Sequence, residues 1–385
     1  MLQGFDYLAH NQEVMAVWDS YNKRNPIRVP IIWGMNTRYT MLNEIANPRK
    51  ITYEQYFDDP AIMLERLLEH QEFIRMNVRQ DAEMGLPSDG WHVWVDFQNT
   101  AEAAWFGCKV KYCADQVPDT EPLLTDSNKY MLLDAGIPDP FAGGIMAKNW
   151  EFYNYMLRAK HNGFTWRGRP LISVTPEGLT TDGPLTIACN LRGTTSFFMD
   201  LLDDTDYAMA LLGYVTEATI ARIKAFRAQL GMPAKAENFF FADDSIQLIS
   251  NETYRKVVYP FHKRLVDEFA SGGDNRVHLC GDASRHFVYM RDTLGIKSFD
   301  TGFPINLGIV RQQLGPDVEI LGGPSVPFLK WATPTEVRAE VRRILTSGVM
   351  DGKRFILREA NNLAPDIPLA NLAAMYDAGR EFGRY

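Results

Sequence analysis

Residues 318–357 read VEILGGPSVPFLKWATPTEVRAEVRRILTSGVMDGKRFIL. The segment begins and ends with short apolar runs, Val318–Leu321 and Arg354–Leu357, each of the length of one strand. Between them, Thr333–Ser347 has the spacing of an amphipathic helix. A strand, a helix and a second strand in this order predict two parallel strands joined by a crossover helix.

The helix predicted over Thr333–Ser347 carries clear signals at both ends. Thr333 can cap its first turn, Pro334 suits the first helical position, and Glu336 completes a capping box. Gly348 is typical of a helix end. The apolar stripe expected to lie on the sheet consists of Val337, Val341, Ile344 and Leu345.

The same alternation of short apolar runs and longer helical segments extends over most of the chain. Two helical segments, Phe197–Leu230 and Glu252–Ala270, are long, and Pro260 is predicted to kink the second. Regular alternation predicts a parallel sheet, and eight repetitions favour its closure into a barrel. The six further predicted strands are Ile27–Trp33, Trp91–Phe97, Leu171–Thr175, Asn238–Asp243, Arg276–Cys280 and Ile296–Asp300.

One interval, Gln98–Gly168, interrupts this alternation with scattered Pro, Gly and Asp and little periodicity. We interpret it as an insertion after the second strand, which would form part of the wall above the carboxyl ends of the strands. The predicted fold class is therefore α/β, a (β/α)8 TIM barrel with an N-terminal extension. Residues 1–385 are predicted to form a single domain.

Composition excludes several classes of function. The chain has 385 residues, 40 basic and 48 acidic, for a net charge of −8, so nucleic acid is not an expected partner. No apolar stretch has the length of a membrane span, and the first residues lack the pattern of a secretory signal. Four cysteines are too few for a disulfide scaffold. We therefore expect a cytoplasmic protein without a membrane partner.

The sharpest local feature is the sequence His278-Leu279-Cys280-Gly281 at the end of a predicted strand. Residues i and i+2 of a strand point the same way, so the imidazole and the thiol should project together. These two ligand types suit zinc, which needs further protein ligands. The candidates to complete the site are Asp300, Glu359 and Asn361. The alternative is a buried cysteine beside a hydrogen-bonded histidine.

Further polar side chains follow other predicted strands, where a barrel enzyme collects its catalytic groups. Asp96 ends the second strand, and Asp243 and Asp244 end the fourth, where a carboxylate could transfer protons or merely cap the next helix. Glu177 follows the third strand. Trp33 belongs to a group of aromatic residues that could line a ligand pocket or belong to the core.

Several motifs resemble the uroporphyrinogen decarboxylase superfamily, a group of TIM-barrel proteins that also includes corrinoid-dependent methyltransferases. The resemblance runs from about Pro26 to Gly383 and is weakest in the insertion. The motifs are RVPIIWG (28–34), GPLTIACNLRG (183–193), DDSIQLISNETYRKVVYPFHKRLVDEF (243–269), RVHLCGDASRHF (276–287), ATPTEVRAEVRRIL (332–345) and FILREANNLAPDIPLANLAAM (355–375).

The pattern of the true decarboxylases is largely replaced. Their arginine-rich signature is represented only by Arg38 within MNTR, their tyrosine corresponds to Asn190, and their late histidine corresponds to about Asn361. Only Asp96 aligns with the decarboxylase aspartate. The resemblance therefore argues against porphyrinogen decarboxylation. By position, we expect Arg38, Asn190, Trp33 and Glu177 to contact the substrate.

The zinc methyltransferase branch is more similar, because its first two zinc ligands resemble His278 and Cys280. Its later cysteine corresponds to about Asn361, which implies a ligand set richer in oxygen. Zinc with several sulfur ligands suits activation of a thiol acceptor, whereas a site with more oxygen and nitrogen suits Lewis-acid activation of a methyl ether or amine.

The resemblance thus implies a zinc-dependent methyltransferase that moves a methyl group between a small methylated substrate and a corrinoid (cobalamin) carried by a separate protein. Asp96, Asp243 and Asp244 would handle protons or orient the substrate. A homodimer is compatible with this reading. The alternatives are a metal-free decarboxylase of a cyclic carboxylate and a non-catalytic ligand-binding homologue.

Overall fold

The computed structural model describes residues 4–385. Their parallel strands form the wall of a (β/α)8 barrel. Five strands form one continuous parallel ladder in the order Phe355–Leu357, Glu319–Gly322, Ile296–Thr301, Asn275–Leu279 and Phe240–Ala242. Trp91–Trp94 pairs in parallel with Arg169–Thr175, and Ile31 joins Leu357 through a single parallel bridge. The amide of Ala242 donates to the carbonyl of Thr181 (2.9 Å), which links the two groups of strands.

Helices and short turns surround the barrel. The α-helices are Tyr7–Asn22, Thr37–Met41, Tyr53–Asp58, Pro60–Asn77, Ala101–Trp105, Met131–Ala135, Met146–His161, Pro184–Arg192, Thr194–Asp203, Thr205–Gln229, Asn251–Thr253, Tyr259–Phe269, Ser284–Leu294, Leu307–Leu314, Val326–Trp331, Pro334–Leu345 and Leu369–Phe382. A π-helical turn covers Tyr254–Val258, and 3₁₀ turns cover Gln98–Thr100, Asp244–Leu248 and Asp351–Lys353. The remaining strands are Val110–Lys111, Asp119–Thr120 and Thr165–Trp166.

The helix Pro334–Leu345 confirms its predicted start. Thr333 accepts a hydrogen bond from the Glu336 amide, and the Glu336 carboxylate accepts one from the Thr333 amide, so the capping box is complete. All four residues of the predicted apolar stripe are buried. Local sequence signals therefore determined both the start of this helix and the face that it buries.

Two predicted elements differ in the structure. The first strand, Ile27–Trp33, joins the ladder only at Ile31, because Pro30 has no N–H to donate. The helix predicted over Phe197–Leu230 is divided at Asp204, whose side chain caps the helix Thr205–Gln229.

The helical backbone is continuous from Asn251 to Phe269, and the turn directly before Tyr259 and Pro260, Tyr254–Val258, is π-helical. Because proline and a π-helical turn are both usual sites of a bend in a helix, the kink at Pro260 stays a prediction. Within residues 98–168, where little periodicity was found, the structure has the long helix Met146–His161, which buries Phe152 and Met156.

In residues 4–385, no helix is both long enough and apolar enough to cross a membrane.

We expect Thr333→Ala to lower the free energy of unfolding by about 1 kcal/mol, because the substitution removes the side-chain cap of Pro334–Leu345. Urea unfolding measures the loss. The matched control is Thr335→Ala, the same substitution at an exposed position two residues further on, which should change the stability little. Equal effects of the two substitutions would contradict the assigned cap.

Candidate functional site

His278 and Cys280 lie together at the carboxyl end of the strand Asn275–Leu279. Val277 and Leu279 are buried, whereas His278 and Cys280 point to the opposite side of the strand. The Nε2 atom of His278 lies 3.1 Å from the Sγ atom of Cys280. The predicted projection of the two ligands to one side is therefore what the structure shows.

Asp300 contacts the other nitrogen of the His278 ring. The two residues are paired in register on neighbouring strands, and Nδ1 of His278 lies 2.8 Å from Oδ2 of Asp300. Arg358 also donates to this carboxylate oxygen. Burial opposes the charge of Asp300, but the contacts with His278 and Arg358 hold its pKa below the usual value. The ionised Asp300 thus favours the tautomer in which Nε2 of His278 is free to bind a metal.

The third side chain beside His278 and Cys280 is Asp244. Its carboxylate accepts a hydrogen bond from the backbone N–H of Cys280 (2.7 Å). One ligand atom from each of Asp244, His278 and Cys280 lies within 4.8 Å of the other two. The thiol of Cys280 donates to the side-chain oxygen of Asn361 (3.2 Å), so a neutral oxygen borders the same cluster. These three residues, with Asn361, are hereafter the metal-ligand cluster.

Burial and the neighbouring carboxylates together shift the pKa values of His278 and Cys280. Burial and the nearby carboxylates of Asp244 and Asp300 raise the pKa of the Cys280 thiol far above its usual range. Burial lowers the pKa of His278, but the contacts with Asp300 and Asp244 outweigh this effect and raise it. A bound divalent cation would reverse this balance, because it stabilises the thiolate and the neutral imidazole.

Glu359, one of the predicted ligands, makes a different contact. Its Oε1 atom accepts a hydrogen bond from the Gly34 amide (2.8 Å), and its Oε2 atom is buried without a hydrogen-bond partner. Burial raises the pKa of Glu359 to about 8, although the charge of Arg358 opposes the shift. A Cβ at position 34 would displace the ends of the Arg358 and Glu359 side chains.

The adjacent carboxylates of Asp243 and Asp244 have separate surroundings. Asp243 is fully buried and accepts hydrogen bonds from the amides of Leu185 (3.0 Å) and Thr186 (2.8 Å) at the start of the helix Pro184–Arg192. The Thr186 hydroxyl and Nε2 of His262 also contact it. Both carboxylate oxygens of Asp243 are thus engaged by hydrogen bonds inside the protein. Among residues 4–385, Asp244 accepts only the hydrogen bond from the Cys280 amide.

A cavity of about 220 Å³ is lined by residues from the ends of the second and third strands and from the start of the interval 98–168. Its acidic lining residues are Asp96, Glu102, Glu177 and Asp182, and its only basic one is Arg38. Thr181, another lining residue, accepts a hydrogen bond (2.9 Å) from the backbone amide of Ala242, which lies two residues before Asp244. This carboxylate-lined cavity therefore adjoins the metal-ligand cluster.

Asp96 is held firmly at one side of the cavity. Its carboxylate accepts hydrogen bonds from the hydroxyls of Thr37 and Tyr56 (2.9 Å to Tyr56) and from the side chain of Gln98 (2.7 Å). Arg38 donates to the side-chain oxygens of Gln98 (3.2 Å) and Asn99 (3.2 Å), and not to Asp96. Asp96 therefore lines the cavity with both oxygens already engaged.

Asp182 is a site residue that the sequence reasoning missed. Burial and the carboxylates of Glu102 and Asp244 raise its pKa to about 7. Glu102 accepts from the Asp182 amide (2.5 Å), and Arg222 forms a buried ion pair with Glu102 and so fixes the loop. The position of Asp182 directly before Gly183-Pro184, at the start of a helix, was the only local signal.

Of the remaining residues predicted to contact the substrate, Glu177 lines the cavity, and Trp33 and Asn190 lie elsewhere. Burial and the charge of Asp96 raise the pKa of Glu177 well above its usual value, and Glu177 accepts from the Phe97 amide (2.6 Å) beside the cavity. Trp33 is buried, with its indole N–H donating to the carbonyl of Arg79 (2.9 Å). Asn190 lies in the last turns of the helix Pro184–Arg192. Neither Trp33 nor Asn190 lines the carboxylate-lined cavity.

Comparison with known protein families assigns this barrel to one of them. Residues 92–382 match the uroporphyrinogen decarboxylase (URO-D) family, and the chain belongs to that family. It is 31% identical over 292 residues to the methylated-thiol:coenzyme M methyltransferase of Methanosarcina mazei, a match that covers 74% of this chain and 71% of that protein.

A second relative and one solved structure were also found, and the solved structure bears on the fold alone. The chain is 24% identical over 299 residues to the methylcobamide:CoM methyltransferase MtbA of Methanosarcina mazei, with coverage of 75% and 79%. A solved methyltransferase from Methanosarcina mazei has a TM-score of 0.65 at 18% identity and covers 97% of this chain and 98% of its own. The predicted resemblance and the predicted TIM barrel are confirmed.

We expect Asp243→Ala to lower the free energy of unfolding by about 3 kcal/mol or more, because it leaves His262 and the amides of Leu185 and Thr186 without their acceptor. The neighbouring substitution Asp244→Ala removes one hydrogen bond at a half-buried position and should cost only about 1 kcal/mol. Urea unfolding of both variants measures the two losses and so distinguishes the structural role of Asp243 from that of Asp244, which contributes less to stability. Similar losses in the two variants would contradict this division.

Proposed function

We propose that the protein is a zinc-dependent methyltransferase that moves a methyl group between a small methylated substrate and a corrinoid on a separate protein. The observation that carries the proposal is the proximity of Asp244, His278 and Cys280, whose ligand atoms lie within 4.8 Å of one another. The named activities of the methyltransferases to which the chain is similar support it.

The chemistry of the cluster fits zinc. An imidazole nitrogen, a thiolate sulfur and a carboxylate oxygen are all common zinc ligands, and Asn361 places a neutral oxygen beside Cys280. We assign Asp244 as the third ligand, whereas Asp300 orients His278 from the opposite ring nitrogen. Glu359 and Asn361 remain candidates for a weaker contact. Zinc bound there would supply Lewis acidity to the heteroatom that carries the methyl group.

The protein groups around the carboxylate-lined cavity bind the substrate and hold its proton. Asp182 is partly protonated near neutral pH, so it can donate to the heteroatom that loses the methyl group or accept from one that gains it. Asp96 and Glu177 border the same space. The raised pKa values of Glu177 and Asp182, and the ion pair of Glu102 with Arg222, leave the cavity with little net charge beside Arg38, which favours a neutral substrate.

The resemblance to the corrinoid-dependent branch also requires that the corrinoid arrives on another protein and approaches the open end of the barrel. The interval 98–168 supplies Gln98 and Glu102 to the cavity wall, which supports its interpretation as an insertion over the active end. The four unpaired cysteines support a cytoplasmic location. The N-terminal extension and a homodimer remain part of the same proposal.

Zinc content tests the metal site. Protein purified without chelators should contain about one zinc per chain, and Cys280→Ser should lose most of it. Asp244→Asn removes the proposed third ligand and should weaken zinc binding by at least about tenfold. Asp300→Asn removes the carboxylate that orients His278 and should weaken zinc binding by about 10–100-fold.

The matched control is Cys113→Ser, which changes an exposed cysteine and should leave the zinc content unchanged. If neither the unmodified protein nor Cys280→Ser contains zinc, the proposed mechanism is wrong. Asp96 and the metal-free decarboxylase, or a binding role, would then become the better hypothesis.

The pH dependence of methyl transfer tests Asp182. Cob(I)alamin and a panel of methylated amines, ethers and thiols provide the assay, which follows formation of methylcobalamin by absorbance. When Asp182 donates the proton, kcat should fall as the pH rises through about 7, because the acid loses its proton there.

We expect Asp182→Asn to lower kcat by about 10²–10⁴-fold and to abolish this pH limb, without loss of zinc. The matched control, Asp203→Asn, changes an exposed carboxylate and should leave the pH profile as it is. An unchanged profile in Asp182→Asn would exclude Asp182 as the proton donor.

A further inference from the structure

A second cavity opens at the opposite end of the barrel, beneath the amino ends of the strands. Its volume is about 710 Å³, and it lies between the N-terminal helix Tyr7–Asn22 and the first residues of four strands. The metal-ligand cluster and the carboxylate-lined cavity lie at the carboxyl ends of the strands. This second cavity, hereafter the amino-end cavity, shares no lining residue with the carboxylate-lined cavity.

Four lining residues of the amino-end cavity lie side by side across neighbouring strands. Arg276 is paired in register with Ser298, and Ser298 with Glu319. Arg354 directly precedes the next strand, and its carbonyl accepts from the Ile320 amide (3.0 Å). All four also line the cavity. The layer therefore contains two guanidinium groups, one hydroxyl and one carboxylate.

The single carboxylate of this layer is fully engaged. Glu319 accepts hydrogen bonds from the hydroxyls of Ser298 (2.9 Å) and Tyr21 (2.8 Å) and from Arg354 (2.8 Å). Arg354 also lies over the ring of Tyr21, with its Cζ atom 4.6 Å from the ring centre. Glu319 thus compensates the charge of Arg354.

Arg276 is the residue left without compensation. Its side chain is exposed to the cavity, and among residues 4–385 its guanidinium has no ion-pair partner. The Nε atom of Arg354 is buried without a hydrogen-bond acceptor. The other charged lining residues are equal in number, Arg24 and Lys297 against Asp274 and Asp317. The inner layer therefore carries a net charge of about +1 and several unused N–H donors.

The other side of the cavity is apolar. Trp18 and Ile32 pack against Tyr21, Leu321 and Ile356 in a small cluster of their own. Trp18 is held in place because its indole N–H donates to the carbonyl of Asp81 (2.6 Å). A ligand that contacts both walls must present an anionic group to the arginines and an apolar body to this cluster.

We propose that the amino-end cavity binds a small amphipathic monoanion, whose anionic group contacts Arg276 and whose flat apolar body lies against Trp18 and Ile32. A planar guanidinium suits a carboxylate, sulfonate or phosphate diester, each of which carries one negative charge, through paired N–H donors. Because Arg276 and His278 are two residues apart on one strand, the occupant contacts the same strand that carries the metal-ligand cluster. The proposal does not depend on methyl transfer or on zinc.

The probe for this site is 8-anilinonaphthalene-1-sulfonate, which combines one sulfonate with flat apolar rings. Its fluorescence on titration into the full chain should report one site per chain. Arg276→Gln should weaken the binding by about tenfold, the loss expected for one charge-assisted contact, and Arg276→Lys should restore part of it. Circular dichroism checks that the variants are folded.

The matched control is Arg38→Gln, which removes the only basic residue of the carboxylate-lined cavity at the other end of the barrel. This variant should bind the probe as the unmodified chain does. The proposal is overturned if Arg276→Gln binds with unchanged affinity, if Arg38→Gln loses the probe, or if the unmodified chain does not bind it.

Discussion

The buried carboxylate of Asp243 is the interaction on which the candidate site depends. It joins the end of the strand Phe240–Ala242 to the first amides of the helix Pro184–Arg192 and to His262. Helix amides without internal partners form good sites for a carboxylate, so this contact stabilises the helix as well as the loop before it. Gly183 allows the close approach, because a side chain there would collide with Asp243.

Two consequences follow for the neighbouring residues. With Asp243 fixed inward, Asp244 is directed to the backbone N–H of Cys280 and so joins the metal-ligand cluster. The loop that ends at Gly183 carries Asp182, which the ion pair of Glu102 and Arg222 holds from the other side. A single buried contact thus fixes the proposed third ligand and the proposed proton donor in one arrangement.

The regular pairing of the barrel strands explains why the two ends of the molecule differ. Side chains two residues apart share one face, so the strand Asn275–Leu279 presents Arg276 at the amino end and His278 at the carboxyl end. The neighbouring strand presents Ser298 and Asp300 in register with them. One end therefore collects carboxylates around the metal-ligand cluster, and the other collects guanidinium groups beside an apolar wall.

The sequence by itself determined the alternation of strands and helices, the capping box at Thr333 and the common direction of His278 and Cys280. These features depend on backbone periodicity over a few residues, which side-chain patterns report directly. Only the tertiary structure distinguished Asp243 from Asp244, gave Asp300 its place at Nδ1 of the histidine, and brought Asp182 to the site. The surroundings of these carboxyl groups come from segments far apart in the chain, and burial and charge there depend on how the segments pack.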